Sequence, residues 1–352
     1  NYMTDSYGVV SGWVFGNDGY MGTAITKRGN KKLTWETTSE FNIGLDLGFF
    51  DNRISLSMEY YNRIISDLLV SNKSLPAYNE INTIAANIGK TQGRGFELTL
   101  STINIMNKDW TWSTDFTFYT FKDNWYERDP NWKPAAYESK KDPIRSYYSY
   151  VSDGLLQVGE KAPAWQPTLV PGQIKLKNLY DTGTSPNVLD QYDKVNLGSQ
   201  DPKCTLGLNN TLRYKNLDFN IYFYGEIGRL RGASYYDAWI VGLGNSLTNV
   251  SQQSLHSYTN ANQNTTVPNL IESAYDFGDY YHKKINYLRC RNITLGYTIP
   301  VSKSIANSVR ISANVSNPFV FTNWNGVDPE TDTGNFSYPN VTSFSFGIDI
   351  SF

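Results

Sequence analysis

The chain has 352 residues, 31 Lys and Arg against 33 Asp and Glu, and a net charge of -2. That balance argues against a polyanion partner, so nucleic acid is not expected. No run approaches the ~18 apolar residues of a membrane helix, which leaves open a membrane crossing made of strands.

Taken from the N-terminus, the chain repeats one pattern. A partial strand is expected near residues 7–13. FNIGLDLGF then places Phe41, Ile43, Leu45, Leu47 and Phe49 on one face, with Asn42, Gly44, Asp46 and Gly48 on the other. ISLSMEY, FELTLS and WTWSTDFTF alternate in the same way. So do LGLNNTL, with one slip at Asn210, DFNIYFYG, ITLGYT and VRISANVS. The last segment, SFSFGIDISF, sets Phe344, Phe346, Ile348, Ile350 and Phe352 against small or polar neighbours. A period of two over so many segments indicates β-structure. Nine strands are expected, near 36–49, 53–65, 92–104, 109–122, 203–214, 216–228, 284–300, 306–316 and 341–352. With the partial strand this makes about ten. Most span about ten residues or more, as a tilted strand crossing a bilayer requires, against about 5–6 for an ordinary strand.

The connections alternate too. FFDNR, INIMNKD, YKNLD and IPVSKSIAN are short, whereas the segments around 66–91, 123–202, 229–283 and 317–340 are long. In an antiparallel meander every second connection lies at the same end. Short turns at one end and long loops at the other are the asymmetry of an outer-membrane barrel. Residues 123–202 are expected to be a large extracellular excursion that does not cross the membrane, with SYYSYVSDGLLQV as a local hairpin strand. A soluble β-sandwich also alternates. It explains less well the strand length, the one-sided loops and a second face built from Ser, Thr, Gly, Asn and Asp.

Four longer stretches resemble one family, the SusC-like TonB-dependent outer-membrane transporters of Bacteroidetes. They are LTWETTSEFNIGLDLGFFDNRISLSMEYYNRIISDLL (33–69), NIGKTQGRGFELTL (87–100), KKINYLRCRNITLGYTIP (283–300) and NPFVFTNWNGVDPET (317–331). With the terminal Phe352 they run in order to the end of the chain. The resemblance implies an all-β transmembrane antiparallel barrel of about 22 strands. Residues 1–352 would be the C-terminal portion of that barrel, in one domain. A signal peptide, TonB-contacting segment, plug and first half of the barrel would lie in a longer protein. It implies active import of an oligosaccharide or oligopeptide, with a SusD-like surface lipoprotein as lid and TonB acting through the plug. It makes Phe344, Phe346, Ile348, Ile350 and Phe352 the signal read by the outer-membrane insertion machinery, and outer-membrane lipid the surroundings of the apolar face. Alternatives are a passive porin-type barrel and a soluble glycan-binding or adhesin sandwich.

Candidate substrate or partner contacts are loop aromatics, which stack on sugar rings or anchor proteins. They are Trp125, Tyr126, Trp132 and Tyr137, then Tyr235, Tyr236 and Trp239, and Trp324. The same residues equally suit a loop's own small core or an interfacial girdle. A calcium loop in this region wants several carboxylates. Residues 178–193 offer Asp181, Asp190 and Asp193, a weak metal candidate beside a plain solvated loop. No catalytic residue is expected. His256 and His282 read as exposed loop histidines, and Asp328, Glu330 and Asp332 as turn-shaping. Cys204 and Cys290 read as free, half-buried thiols.

Overall fold

In the computed structural model, the described residues are 2–16, 18–75, 83–130, 133–181, 187–232, 252–269, 277–301, 307–326, 328–331 and 338–352. They contain seventeen strands. The first two, β1 (Ser6–Phe15) and β2 (Asp18–Lys27), form a hairpin of their own. The expected partial strand near 7–13 is therefore full length and lies outside the main sheet. Next come β3 (Thr37–Phe49), β4 (Ile54–Ser66), β5 (Leu69–Ser74), β6 (Thr83–Asn87), β7 (Lys90–Met106) and β8 (Trp110–Glu127). Four short strands follow: β9 (Ser146–Ser149), β10 (Ser152–Leu155), β11 (Ile174–Leu176) and β12 (Val195–Ser199). The last are β13 (Cys204–Tyr214), β14 (Leu217–Arg231), β15 (Lys283–Ile299), β16 (Ser308–Thr322) and β17 (Ser343–Ser351).

Nine strands make one sheet in the order β17-β16-β15-β14-β13-β8-β7-β4-β3. Nine, not ten, is therefore the count in the sheet. β8 pairs antiparallel with β13, and the strands between them form two small pairs, β9 with β12 and β10 with β11. SYYSYVSDGLLQV thus contributes to two local pairings. β16 runs six residues beyond its expected end by carrying a bulge. Asn317 takes φ 50, and the register with β15 shifts between Cys290 and Asn292. Pro318 falls at that irregularity, where its missing N–H breaks no regular rung.

The registers show why the two faces differ. Leu206 lies opposite Phe118, Leu208 opposite Phe116 and Leu212 opposite Trp112. On the far side, Leu295 lies opposite Ala313 and Val309 opposite Ile350. Phe346, Ile348, Leu295 and Ile311 are all exposed, so this face seeks lipid. Near the short turns, Trp110 lies 4.3 Å from Tyr214, and Tyr297 lies opposite Leu217. Amphipathic rings at that level form an interfacial girdle. The other face is a hydrogen-bonded polar ladder. Ser101 donates to Asp115 at 2.7 Å, and Asn220 to Asn209 at 2.8 Å. Asn314 donates to Asn292 and Thr294, and Arg310 pairs with Asp218 at 2.6 Å.

The chain divides into two compact units. The first comprises residues 1–42, 61–94 and 123–133. Here Asn87 stitches two of the sequence motifs. Its side-chain oxygen accepts from Thr34 N at 2.9 Å, and its amide donates to Asp67 O and Thr34 O at 2.7 and 2.9 Å. Glu36 accepts from Leu69 N at 2.8 Å. Gly89 must be glycine. Its φ is +85, and a Cβ would stand 2.9 Å from the Glu127 carbonyl oxygen. The second unit comprises residues 43–60, 95–122 and 134–352. Outside the sheet its core is Leu155, Ile174, Leu176 and Tyr258, all buried, with Tyr280 and Tyr281 packed against them. Cys290 is fully buried rather than half-buried, and both thiols are free.

The face assignment has a direct check. Phe346→Lys, on the lipid face, is expected to lower folding stability in vesicles by about 2–4 kcal/mol. Ser345→Lys, on the polar face, is expected to cost under about 1 kcal/mol. Urea titrations of the folded full-length protein would read both, and equal costs would reverse the assignment.

Candidate functional site

The long-loop end of the second unit carries two features built from side chains distant in sequence. One is a charged lock. Strand β15 presents Arg289 into a pocket where it is 3% exposed. Its guanidinium donates to Asp328 at 2.8 Å and to Glu330 at 3.0 Å. Arg291 pairs with Glu330 at 2.8 Å, and Arg231 donates to the Glu330 carbonyl oxygen at 2.8 Å. Asp328 also accepts from the backbone N–H of Glu330, Thr331 and Asn340, and the Asn340 amide donates to Glu330. Beside them Glu226 is buried. It pairs with Arg229 at 2.9 Å and accepts from Tyr224 at 3.1 Å, while Arg291 lies over the Tyr224 ring. Buried charges persist only when paired, and each carboxylate of this set has an arginine partner.

Burial alone would push the Asp328 carboxyl up. Backbone N–H donors and the Arg289 charge outweigh that and hold it below the usual carboxylate range. Asp328 and Glu330 thus pin the segment after β16 to the wall made by β14 and β15, a turn-shaping role. Asp332 lies outside the described residues.

The second feature is a cavity of about 550 Å³. Tyr280, Tyr281, His282 and Trp324 supply ring surfaces, and Ser152, Gln253 and Asn325 supply polar groups. Its wall is rigid. Tyr280 donates to Thr266 O at 2.7 Å, and burial raises its phenol pKa. Ser152 donates through N and Oγ to Asp279 at 2.7 and 2.6 Å. Trp324 is 8% exposed and packs with Ile285 and Tyr281. His282 is half-buried, not exposed, because its ring lies 4.3 Å from that of Tyr147. His256 is exposed.

The remaining candidates fall in different places. Trp125, with Arg128 at 5.3 Å over its ring, and the exposed Tyr126 belong to the first unit. Tyr137 belongs to the second, where it packs on Tyr148 at 5.1 Å as part of a loop core. Trp132, Tyr235, Tyr236 and Trp239 lie outside the described residues. Of the acidic loop, Asp193 is fully buried and accepts from Leu179 N, Tyr180 N and Asp190 N. Asp190 accepts from Tyr192 N, and Asp181 from Asn178 and Asn187 N. These carboxylates shape the loop, and among the described residues no group of three or more potential ligands gathers at a point. Arg289, Arg231, Glu226, Tyr280 and Tyr281 were not singled out in sequence. The only signal for the arginine was its place in YLRCRN, with the partner carboxylates some forty residues away in GVDPE.

Comparison with known proteins fits this architecture. A family model described as TonB dependent receptor-like, beta-barrel, matches residues 3–317. The chain belongs to that family. TonB-dependent receptor P3 of Formosa agariphila is 29% identical over 96% of this chain and 36% of its own length. TonB-dependent receptor SusC of Bacteroides thetaiotaomicron is 28% identical over 95% of this chain and 34% of its own. The chain thus spans about a third of these relatives, which are receptors rather than enzymes. The RagAB peptide transporter matches the whole chain over 39% of its own, with TM-score 0.76 and 24% identity. Its open-open state matches with TM-score 0.79 over 38%. These likenesses establish the fold, a SusC-like outer-membrane β-barrel of which this chain is a part that does not close by itself.

Two outcomes test the lock. Arg289→Met leaves Asp328 and Glu330 without their buried cation, and is expected to cost about 3–5 kcal/mol. The pH dependence follows from the depressed Asp328 pKa. Its contribution is complete above the ordinary carboxylate value of about 3.9 and is lost as pH falls below that. Hydrogen-exchange protection of residues 323–326, 328–331 and 338–342, corrected for the intrinsic rate at each pH, is expected to be high at neutral pH and lower during incubation below the depressed Asp328 pKa. Equal protection at both pH values would contradict the assignment.

Proposed function

We propose that this chain is the C-terminal barrel portion of an active importer that takes an oligosaccharide or oligopeptide across the outer membrane. The observation that carries the reading is the loop-side cavity, where ring faces and hydrogen-bonding groups converge at the long-loop end of a sheet whose outer face is apolar. Sugar rings and peptide side chains both pack on aromatic faces and both need polar groups to fix orientation. Tyr280, Tyr281 and Trp324 would stack on the cargo. His282, Gln253 and Asn325 would bond it.

By its SusC-like kinship, the importer would work with a SusD-like surface lipoprotein and draw energy from TonB through a plug outside this chain. The exposed Tyr126 is a partner-facing candidate, as are Trp132, Tyr235, Tyr236 and Trp239. Loop 178–193 would keep its shape on its own hydrogen bonds, without calcium. A passive porin would share the sheet but need neither plug nor TonB. Uptake that persists after the proton gradient is collapsed would favour it.

The test is a binding titration of the full-length protein with oligosaccharide and oligopeptide libraries. A Tyr280→Ala, Trp324→Ala double variant is expected to weaken the preferred library about tenfold or more, since each stacked ring contributes roughly 1 kcal/mol beyond its area. The class whose affinity falls identifies the cargo. Unchanged affinity for both would remove the cavity from the reading.

A further inference from the structure

A second concave site lies at the opposite end of the sheet, on the lipid-facing side. Its groove of about 320 Å³ is lined by Phe50, Arg53, Ile54, Thr102, Ile103 and Asn104. These residues sit at the short turn between β3 and β4 and near the end of β7. Thr102 and Asn104 continue the two-residue step of Phe96, Leu98 and Leu100, so they occupy positions where the pattern calls for apolar side chains. They are also linked to further polar groups on that face. Thr102 donates to Asn104 at 3.0 Å, and Asn104 to Thr114 at 2.8 Å. Thr114 donates to Asn210 at 2.7 Å, and the Trp112 indole N–H donates to Asn210 at 3.1 Å. The registers put Thr114 and Asn210 on the apolar face, opposite each other and in step with the Phe116–Leu208 and Phe118–Leu206 pairs. Asn210, the one slip in the alternation of its strand, is thus part of a polar track across β7, β8 and β13.

Polar side chains facing hydrocarbon are costly unless something answers them. The track answers part of its own demand, and the donors it leaves over are the Arg53 guanidinium and the Asn210 amide. Arg53 donates through Nη2 to the carbonyl oxygens of Ile103 and Asn104 at 3.2 and 3.3 Å, and no carboxylate pairs with it among the described residues. No acceptor among the described residues takes the Asn210 amide hydrogens. An unneutralised guanidinium, amide donors and apolar walls from Phe50 and Ile54 complement an anionic phosphodiester with an acyl chain. In an outer-membrane barrel the short turns face the periplasm, so this level lies where the phospholipid leaflet's headgroups meet its chains.

We propose that this groove is a binding site for a glycerophospholipid of the periplasmic leaflet. The phosphodiester sits on Arg53, the ester oxygens reach the Asn104 and Asn210 side, and an acyl chain lies along Ile54. The site is separate from the loop-side cavity and rests on the membrane orientation, not on the choice of cargo.

The experiment uses the full-length protein purified in mild detergent, with phosphatidylglycerol titrated in and retained lipid counted by native mass spectrometry. The wild type is expected to hold one lipid more tightly than the rest. Arg53→Gln, and separately Thr102→Val with Asn104→Leu, are expected to weaken that lipid about tenfold. The second variant leaves the Arg53 contacts to backbone carbonyls intact, so it remains informative where the first fails to fold. Heat-dependent gel migration confirms folding of each. Inorganic phosphate at the same concentration is expected not to compete. Unchanged lipid retention in both variants overturns the proposal. So does competition by inorganic phosphate, which marks a simple anion site, or a stronger dimer on delipidation, which marks a face for a second copy. Cargo affinity is expected to be unchanged in these variants, which keeps this test independent of the importer reading.

Discussion

Every backbone N–H and C=O that lies in hydrocarbon must find a partner within the protein, because no water is there to take it. A sheet meets this requirement only where strand meets strand. The nine-strand order from β3 to β17 does so without a crossover, each strand lying beside its neighbour in the meander. The two ends of that order, β3 and β17, each have one edge without a partner strand among the described residues. That is the physical sense in which the chain is part of a barrel. Strand length, the exposure of Phe346 and Ile348, and the polar ladder on the other face all follow from a wall with lipid on one side and water on the other.

The loops are held to that wall by buried polar contacts, because they are too irregular to be held by ladders. In one unit Asn87 and Glu36 satisfy the backbone where the chain leaves β4 and enters β7. In the other, Arg289 holds Asp328 and Glu330. Each lock joins two of the stretches that carried the family resemblance. These stretches therefore read as structural clamps, whose residues are constrained by each other more than by any cargo. Under the proposed function, cargo contact would fall to the aromatic and polar cavity wall, where Tyr280 and Trp324 are held by packing.

The lipid-facing groove shows how a polar exception in an apolar pattern gains meaning. Asn210 alone is a slip in an alternating strand. Joined through Thr114 to Asn104, which borders the Arg53 groove, it is the far end of a polar track. The distinction depends on which residues of neighbouring strands stand side by side, and register decides that.

Most of the fold was legible in the chain itself. Period-two alternation reports a wall between two solvents, and the short and long connections report which end is which, since both are local properties of consecutive residues. The nine main strands accordingly lie within a few residues of where alternation places them, apart from β8, which runs on to Glu127, and β16, whose bulge at Asn317 carries it on to Thr322. The terminal run of Phe344 to Phe352 was legible for the same reason. The sites were not. Arg289 looks like any lumen-facing arginine until Asp328 folds back onto it, and Trp324 looks like an exposed loop aromatic until Ile285 and Tyr281 bury it. His282 looks like a solvated loop residue until Tyr147 covers it. In each case the deciding partner is tens of residues or more away along the chain. Pairing across such distances is set by register and loop packing, which no local pattern encodes.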